Sequence, residues 1–162
     1  EYERYCEEEI FHINAVSSQT GKVYVLASRK NAVIRIRPEP ERIVLRDNQL
    51  RSPHNMNMTG DGNVIINDTR NQCIRVYECD SGRRLTTLST HIHEKSVDGS
   101  AQFVKAGWQR GLTHVHGSVY LVGTSPASVF EVDIKEGTVG QICRIDSDVR
   151  HCIHGLFAVR DF

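Results

Sequence analysis

The sequence has no excess of either charge, because 20 lysine and arginine residues balance 20 aspartate and glutamate residues. A nucleic-acid-binding protein normally carries a basic excess or a basic stripe, and none is visible, so we expect no nucleic-acid partner. No apolar run approaches the length of a membrane-spanning helix, so we expect no membrane partner either. A signal peptide is also not recognisable, which favours a cytoplasmic location. With 162 residues, the chain is long enough for one domain with a substantial core.

Cysteine pairs and helical patterns are missing as well. The five cysteines are odd in number and show no Cys-x-x-Cys spacing, which argues against a zinc knuckle or a complete disulfide framework. Cys73 and Cys143 lie in strand-like runs, where we expect small buried apolar residues. No segment shows helical periodicity, and Val, Ile and Tyr dominate the apolar runs. The sequence therefore predicts an all-β protein.

One sequence motif occurs three times in the chain. Segments 21–29, 62–70 and 117–125 align without a gap from a shared glycine, and a second apolar run begins twelve residues after each glycine. Glycine-containing turns separate short apolar runs within each unit. Four antiparallel strands every ~40–50 residues are typical of a β-propeller blade. A β-sandwich or an irregular meander is the alternative, but neither gives a reason for the units to start with similar residues.

The repeat predicts a β-propeller fragment of about three four-stranded blades plus one inner strand, part of a six- or seven-bladed ring. The expected units are residues 1–10 (a linker or the remnant of a preceding blade), 11–53 (a blade), 54–109 (a blade with a polar insertion at 90–107), 110–152 (a blade) and 153–162 (the inner strand of a next blade). Three blades cannot close a ring. We therefore expect the remaining blades to come from the same longer chain or from another subunit.

Each unit begins with a cationic or titratable side chain. These starting residues are His12, His54, Arg110 and His154. The first strand of a propeller blade lines the central channel, so the four residues should surround one mouth of that channel. Arg29 and Arg70, each eight residues after its glycine, should lie on the same rim. Trp108, beside Arg110, would either form a stacking wall for a ligand or pack under the insertion.

Imidazoles and guanidiniums that converge in a concave site are costly unless they are paired or bind a ligand. Two kinds of chemistry suit such a set of imidazoles and guanidiniums. The neutral imidazoles of His12, His54 and His154 would bind a divalent metal such as zinc. Alternatively, the arginines would bind a small anionic molecule while a histidine acts as nucleophile or general acid. A third possibility is an interaction scaffold, in which the histidines only tie turns and the top face binds a protein or peptide.

The second unit resembles an NHL-type repeat through Ser-Pro-His at 52–54, Gly-Asp-Gly-Asn-Val at 60–64 and Asn-Asp-Thr-Arg-Asn-Gln-Cys-Ile-Arg-Val-Tyr at 67–77. This class includes peptidyl-amidoglycolate lyase, in which blade-starting histidines hold a zinc ion, and the resemblance implies a metal-dependent lyase or hydrolase.

The first unit is similar to bacterial arylsulfotransferase through residues 11–16, 27–29 and 31–36. That resemblance implies that His12 and Arg29 bind a sulfuryl group and that His54 is the catalytic nucleophile.

Over most of residues 12–159, the order His-hydrophobic-Asn, Ser-Pro-His, Arg-Gly-Leu and His-Gly-Leu resembles a large uncharacterised family of bacterial propellers. This resemblance implies the fold and leaves the chemistry open. The function that we expect is therefore ligand binding at a His/Arg-lined channel mouth. The expected ligand-binding residues are His154, Arg110, Arg70 and Trp108, beside the candidate catalytic residues His54, His12 and Arg29.

Overall fold

The structure is a computed structural model that describes residues 11–90 and 107–159. In these residues, twelve strands form three four-stranded antiparallel sheets, and the strands of each sheet follow the order of the chain. The first sheet contains β1 (Ile13–Gln19), β2 (Lys22–Ala27), β3 (Ala32–Arg37) and β4 (Arg42–Arg46). The second contains β5 (Pro53–Met58), β6 (Asn63–Asp68), β7 (Cys73–Glu78) and β8 (Arg84–Ser89). The third contains β9 (Trp108–His116), β10 (Val119–Ser125), β11 (Ser128–Asp133) and β12 (Thr138–Arg144).

The expected all-β architecture of about three four-stranded blades is confirmed by these sheets. The described residues contain no helix of sufficient length and hydrophobicity to cross a bilayer. The expected linker at 1–10 and nearly all of the polar insertion at 90–107 lie outside the described residues.

The chain after the third sheet differs from expectation. Residues 153–159, expected to begin an inner strand, are not in a strand, and residues 160–162 lie outside the described part. The backbone N–H of Ile153 donates to the carbonyl of Thr124 at 3.2 Å, so this segment packs against the third sheet. A β-strand needs a neighbouring strand to satisfy its backbone groups, and no strand of the described residues pairs with this segment.

The repeat is visible in the turn between the second and third strands. A short 3₁₀ turn follows β2 at Ser28–Lys30, and another follows β6 at Thr69–Asn71. Each turn ends in a left-handed residue, Asn31 with φ 48° and Gln72 with φ 50°. These two residues are 41 positions apart, like the glycines that begin the repeated motif. The same local geometry therefore recurs in the first two sheets.

The core consists of two apolar layers, one on each face of the second sheet. The first layer joins the first and second sheets and includes Tyr24, Leu26, Val33, Met56, Ile66 and Tyr77. The second layer joins the second and third sheets and includes Ile65, Ile74, Val76, Leu112, Tyr120 and Val122. The neighbours Ile65 and Ile66 of β6 belong to different layers because successive side chains of a strand point to opposite faces. A strand that is buried on both faces reads as a continuous apolar run, as β6 does.

Buried hydroxyl groups connect each sheet to the next. Ser28 Oγ donates to the carbonyl of Pro53 at 2.9 Å, and Thr69 Oγ1 donates to the carbonyl of Gln109 at 2.8 Å. Both hydroxyls follow the second strand of their own sheet, and both carbonyls lie at or near the start of the next sheet. Pro53 and Gln109 therefore accept the same kind of hydrogen bond between sheets, and His54 and Arg110 each follow that acceptor directly.

Candidate functional site

His54 lies in an irregular stretch at the start of β5. His54 pairs with Asn67 and Met56 pairs with Ile66, so Asn55 is an extra residue that forms a β-bulge. Asn55 has a positive φ of 53°. A bulge of this kind redirects the neighbouring side chains and is common beside functional sites.

The ring of His54 is held in one tautomer. Its Nδ1 lies 2.8 Å from the carbonyl oxygen of Ser52 and 3.1 Å from Oγ1 of Thr69. A carbonyl oxygen only accepts hydrogen bonds, so Nδ1 carries the proton of the neutral ring and donates it. The lone pair is consequently on Nε2, which makes no hydrogen bond within residues 11–90 and 107–159.

The surroundings of His54 favour its neutral form. Burial lowers the pKa of this imidazole below its ordinary value of 6.5, and the nearby charges of Arg110, His12 and His154 lower it further. The hydrogen bond to the Ser52 carbonyl acts in the opposite direction and raises the pKa, but the net shift is downward. The structure thus brings Arg110, His12 and His154 close enough to His54 to alter its protonation. These are the four residues expected to start the units.

Two guanidinium groups lie over the ring of Trp108. The Cζ atom of Arg110 lies 5.6 Å from the centre of the Trp108 ring, and that of Arg70 lies 5.9 Å from it. Cation–π contacts of this kind are worth about 0.5–1 kcal/mol each at exposed sites. In the described part of the chain, neither arginine forms an ion pair with a carboxylate. We call His54, Arg70, Trp108 and Arg110 the His/Arg cluster.

Arg29 lies in the 3₁₀ turn of the first sheet that corresponds to the turn of Arg70. Its backbone N–H donates to the carbonyl of Phe11 at 3.3 Å, and the neighbouring Ser28 N–H donates to the carbonyl of His12 at 3.0 Å. The turn of Arg29 is therefore tied to the chain just before β1.

The equivalence of His12 and His54 does not hold in the structure. Ile13 pairs with Ala27 and Pro53 pairs with Asp68, two equivalent positions, so Ile13 corresponds to Pro53. It follows that His12 corresponds to Ser52, and both have a left-handed φ, 47° and 50°. The two histidines therefore differ by two positions in the repeat, because His12 lies before the residue that pairs with Ala27 whereas His54 lies after the residue that pairs with Asp68.

The expected zinc site receives no support from the side-chain positions. Among the described residues, no group of three or more His, Cys, Asp and Glu side chains is placed to share a metal ion. His54 also uses Nδ1 for the Ser52 carbonyl, which leaves only Nε2 as a ligand. The charges of His12 and His154 lower the pKa of His54, but the three histidines do not form a metal-binding group in the described residues.

Two residues of the site were not among the expected site residues. Thr69 contacts His54 and could have been recognised because Ser28 occupies the same place in the first unit. Cys152 has its Sγ 4.0 Å from the carbonyl of Trp108. Burial raises the pKa of the Cys152 thiol, against the opposing effect of the nearby Arg110 charge. No spacing in the sequence signals this contact.

The sequence matches no protein-family model and no curated protein. Solved structures do match the fold. A streptogramin B lyase has a TM-score of 0.64 at 9% identity, over 83% of this chain and 41% of the lyase chain. YCF48 bound to D1 peptide has a TM-score of 0.60 at 14% identity, over 80% of this chain and 39% of YCF48. The extracellular domain of a putative one-component system from B. thetaiotaomicron has a TM-score of 0.53 at 10% identity. The match covers 82% of this chain and 17% of that chain.

These proteins are β-propellers, and the three consecutive four-stranded sheets define this chain as a β-propeller fragment. The chain spans less than half the length of the three propellers that it matches. At such low identity the likeness concerns the fold alone. The resemblances to NHL repeats, to arylsulfotransferase and to the uncharacterised bacterial family stay predictions.

Proposed function

We propose that this chain is a ligand-binding segment of a β-propeller and that the His/Arg cluster binds a small anionic molecule. The observation that carries the proposal is the pair Arg70 and Arg110, which share one tryptophan and have no carboxylate partner in the described residues. Arg70 is exposed and Arg110 is half-buried, and a half-buried cation such as Arg110 is unfavourable unless an anion compensates it. Guanidinium groups bind phosphate and sulfate oxygens through paired hydrogen bonds. An oxyanion of this type is therefore the best-matched ligand.

The neutral His54 adds a second capability to the cluster. Its Nε2 lone pair accepts a hydrogen bond from a ligand hydroxyl, or acts as a nucleophile or general base. The fixed tautomer favours an arylsulfotransferase-like enzyme as the second candidate function. In that reaction, Nε2 attacks the sulfur of an aryl sulfate, the bond from sulfur to the aryl oxygen breaks, and the phenolate leaves. His12 and Arg29 would bind the sulfuryl oxygens, and a phenol acceptor would later take the group from His54.

A protein–protein interaction scaffold is the remaining alternative. The bond from His54 Nδ1 to the Ser52 carbonyl is the kind of turn-tying contact that a scaffold would use. One structural neighbour, YCF48, is bound to a peptide. A scaffold gives no reason for two arginines to share one tryptophan without a carboxylate partner among residues 11–90 and 107–159, and for this reason we prefer the ligand-binding function.

The propeller fragment also needs further blades. Val16 is 65% exposed and Ile43 is 47% exposed on the first sheet. Aliphatic side chains on a sheet face are normally covered by another layer. We infer that additional blades, from the same longer chain or from another subunit, pack against this face.

Trp108 offers a direct test because it is the single tryptophan of the chain. We expect its fluorescence to change in a saturable manner when sodium sulfate or phosphate is titrated at constant ionic strength. Arg110→Gln should weaken binding about tenfold or more, since a charge-assisted hydrogen bond is lost. The matched control is Arg42→Gln, which removes an exposed arginine of β4 and should leave binding unchanged. An absent response, or an equal loss in both variants, would contradict the proposal.

The arylsulfotransferase-like function is tested by a separate activity assay. We expect release of 4-nitrophenolate from 4-nitrophenyl sulfate in the presence of phenol, and no release by His54→Ala. If the wild-type chain and His54→Ala release 4-nitrophenolate at the same rate, His54 is not the nucleophile. Anion binding would still be measurable by Trp108 fluorescence in that case.

A further inference from the structure

A concave site lies between the second and third sheets, at the end opposite to the His/Arg cluster. It is a groove of about 970 Å³ beside the β5–β6 and β9–β10 turns. The groove is formed in large part by Asn57, Leu85, Thr86, His114, Tyr120 and Ile134. Its volume is at the upper end of the range for small-molecule sites in proteins.

The groove is separate from the His/Arg cluster. Arg110 and His114 are both on β9, four residues apart. A strand advances about 3.3 Å per residue, which puts these two residues roughly 13 Å from each other. A ligand in the groove consequently does not touch the anion-binding arginines.

One wall of the groove is apolar. Leu85 is 41% exposed although it lies beside the buried Val76. Tyr120 and Ile134 continue this wall in the third sheet. Burial raises the pKa of the Tyr120 phenol to about 12, so the side chain stays uncharged. This wall matches a branched aliphatic or other apolar group.

The groove also presents hydrogen-bonding groups that have no partner in the described residues. The Asn57 amide and the Thr86 hydroxyl form no hydrogen bond there, although both side chains are half-buried. His114 lies with Nε2 3.0 Å from the Gly117 carbonyl. Nε2 is thus the donor, and Nδ1 of the neutral ring is left as an acceptor. Together these groups match a ligand that both donates and accepts hydrogen bonds, as an amide does.

The charges in the groove are few and of both signs. Asp61 accepts hydrogen bonds within its own turn, including one from Asn63 Nδ2 at 2.9 Å. Lys135 is exposed on the side of the third sheet. Neither charge dominates, in contrast to the two arginines of the His/Arg cluster. An uncharged ligand is therefore favoured.

We propose that this groove binds an uncharged amphipathic small molecule with a branched aliphatic group and an amide head. The aliphatic group packs against Leu85 and Ile134, and the amide pairs with Asn57, Thr86 and His114. This site goes beyond the anion-binding function and does not depend on it.

The test uses N-acetyl-L-leucinamide as the probe and the full 162-residue chain, with methyl NMR signals of Leu85 and Ile134 as the readout. We expect saturable shifts of both methyl groups. Sodium sulfate should affect Trp108 without affecting these methyl groups. Leu85→Lys should weaken probe binding at least about fivefold, because the apolar contact with the leucyl group is lost.

Ile43→Lys is the matched control, since Ile43 is a similarly exposed aliphatic residue, at 47%, in the outer strand of the first sheet. It should leave probe binding unchanged. The proposal is overturned if the methyl signals show no saturable shift, or if both variants weaken binding equally. It is also overturned if the Leu85 and Ile134 signals shift with protein concentration alone, since the groove would then hold a second copy of the chain.

Discussion

Replacement of Thr69 by valine should damage both the fold and the His/Arg cluster. The Thr69 hydroxyl donates to the Gln109 carbonyl at 2.8 Å and lies 3.1 Å from Nδ1 of His54. Valine has nearly the same shape as threonine but lacks the hydroxyl. The variant therefore loses one connection between the second and third sheets and one of the two acceptors that hold His54.

The expected loss of stability in Thr69→Val follows from the burial of the Thr69 hydroxyl. Thr69 is fully buried, and water cannot replace the missing donor at the Gln109 carbonyl. A buried polar group that loses its partner costs about 1–3 kcal/mol. Ser28 provides a comparison, because its hydroxyl makes the equivalent bond to the Pro53 carbonyl at 2.9 Å and forms no hydrogen bond with His54 in the described residues. Ser28→Ala should cost a similar amount of stability and leave His54 undisturbed.

Two measurements separate these effects. Urea denaturation gives the free energy of unfolding of each variant, and NMR titration gives the pKa of His54. We expect both variants to lose stability, but only Thr69→Val to change the His54 pKa and the affinity for sulfate. If Ser28→Ala changes the His54 pKa as much as Thr69→Val does, or if Thr69→Val costs no stability, the assignment of Thr69 to both roles is wrong.

Two further predictions concern protonation and a buried hydrogen bond. The pKa of His54 is lowered in the folded chain, so the unfolded chain binds the proton first and stability is lost as the pH falls below the ordinary value of 6.5. Urea denaturation at pH 7 and pH 5 should show a larger loss for the wild-type chain than for His54→Asn, and equal losses would contradict the shift. Tyr77→Phe removes the hydroxyl that donates to Asp47 Oδ2 at 2.8 Å and should cost about 1.5–3 kcal/mol. Tyr24→Phe, in the same apolar layer, should cost less in the same assay, because the Tyr24 hydroxyl forms no hydrogen bond in the described residues.

The fold could be predicted because repetition in the sequence reflects repetition in the backbone. The aligned glycines and apolar runs correspond to β2 and β3, β6 and β7, and β10 and β11. Burial was harder to infer from strand position. Cys73 is buried as expected, whereas Cys143 is exposed, because it lies on the outermost strand of the third sheet. An apolar residue on an outer strand is covered only if another layer packs there, and a strand pattern does not contain that information.

The site could be predicted only in part. Blade geometry predicts that Arg110, His12 and His154 lie near His54, and in the structure the charges of all three lower the pKa of His54. The tautomer of His54 could not be predicted, because it depends on the bulge at Asn55 and on a left-handed Ser52. Such backbone details arise from packing at the strand end and leave no regular spacing in the sequence.

The missing counter-charge in the His/Arg cluster is not explained by a lack of nearby carboxylates. Asp68 is only two residues from Arg70, but its carboxylate is fully buried. It accepts hydrogen bonds from the Arg51 N–H at 2.7 Å and from Asn71 Nδ2 at 2.7 Å, and it lies 2.8 Å from Arg75 Nε. These partners satisfy the buried carboxylate of Asp68. Since the adjacent acid is used to fix the turn, it is not a counter-charge for Arg70, which is consistent with the proposal that Arg70 and Arg110 bind an anion.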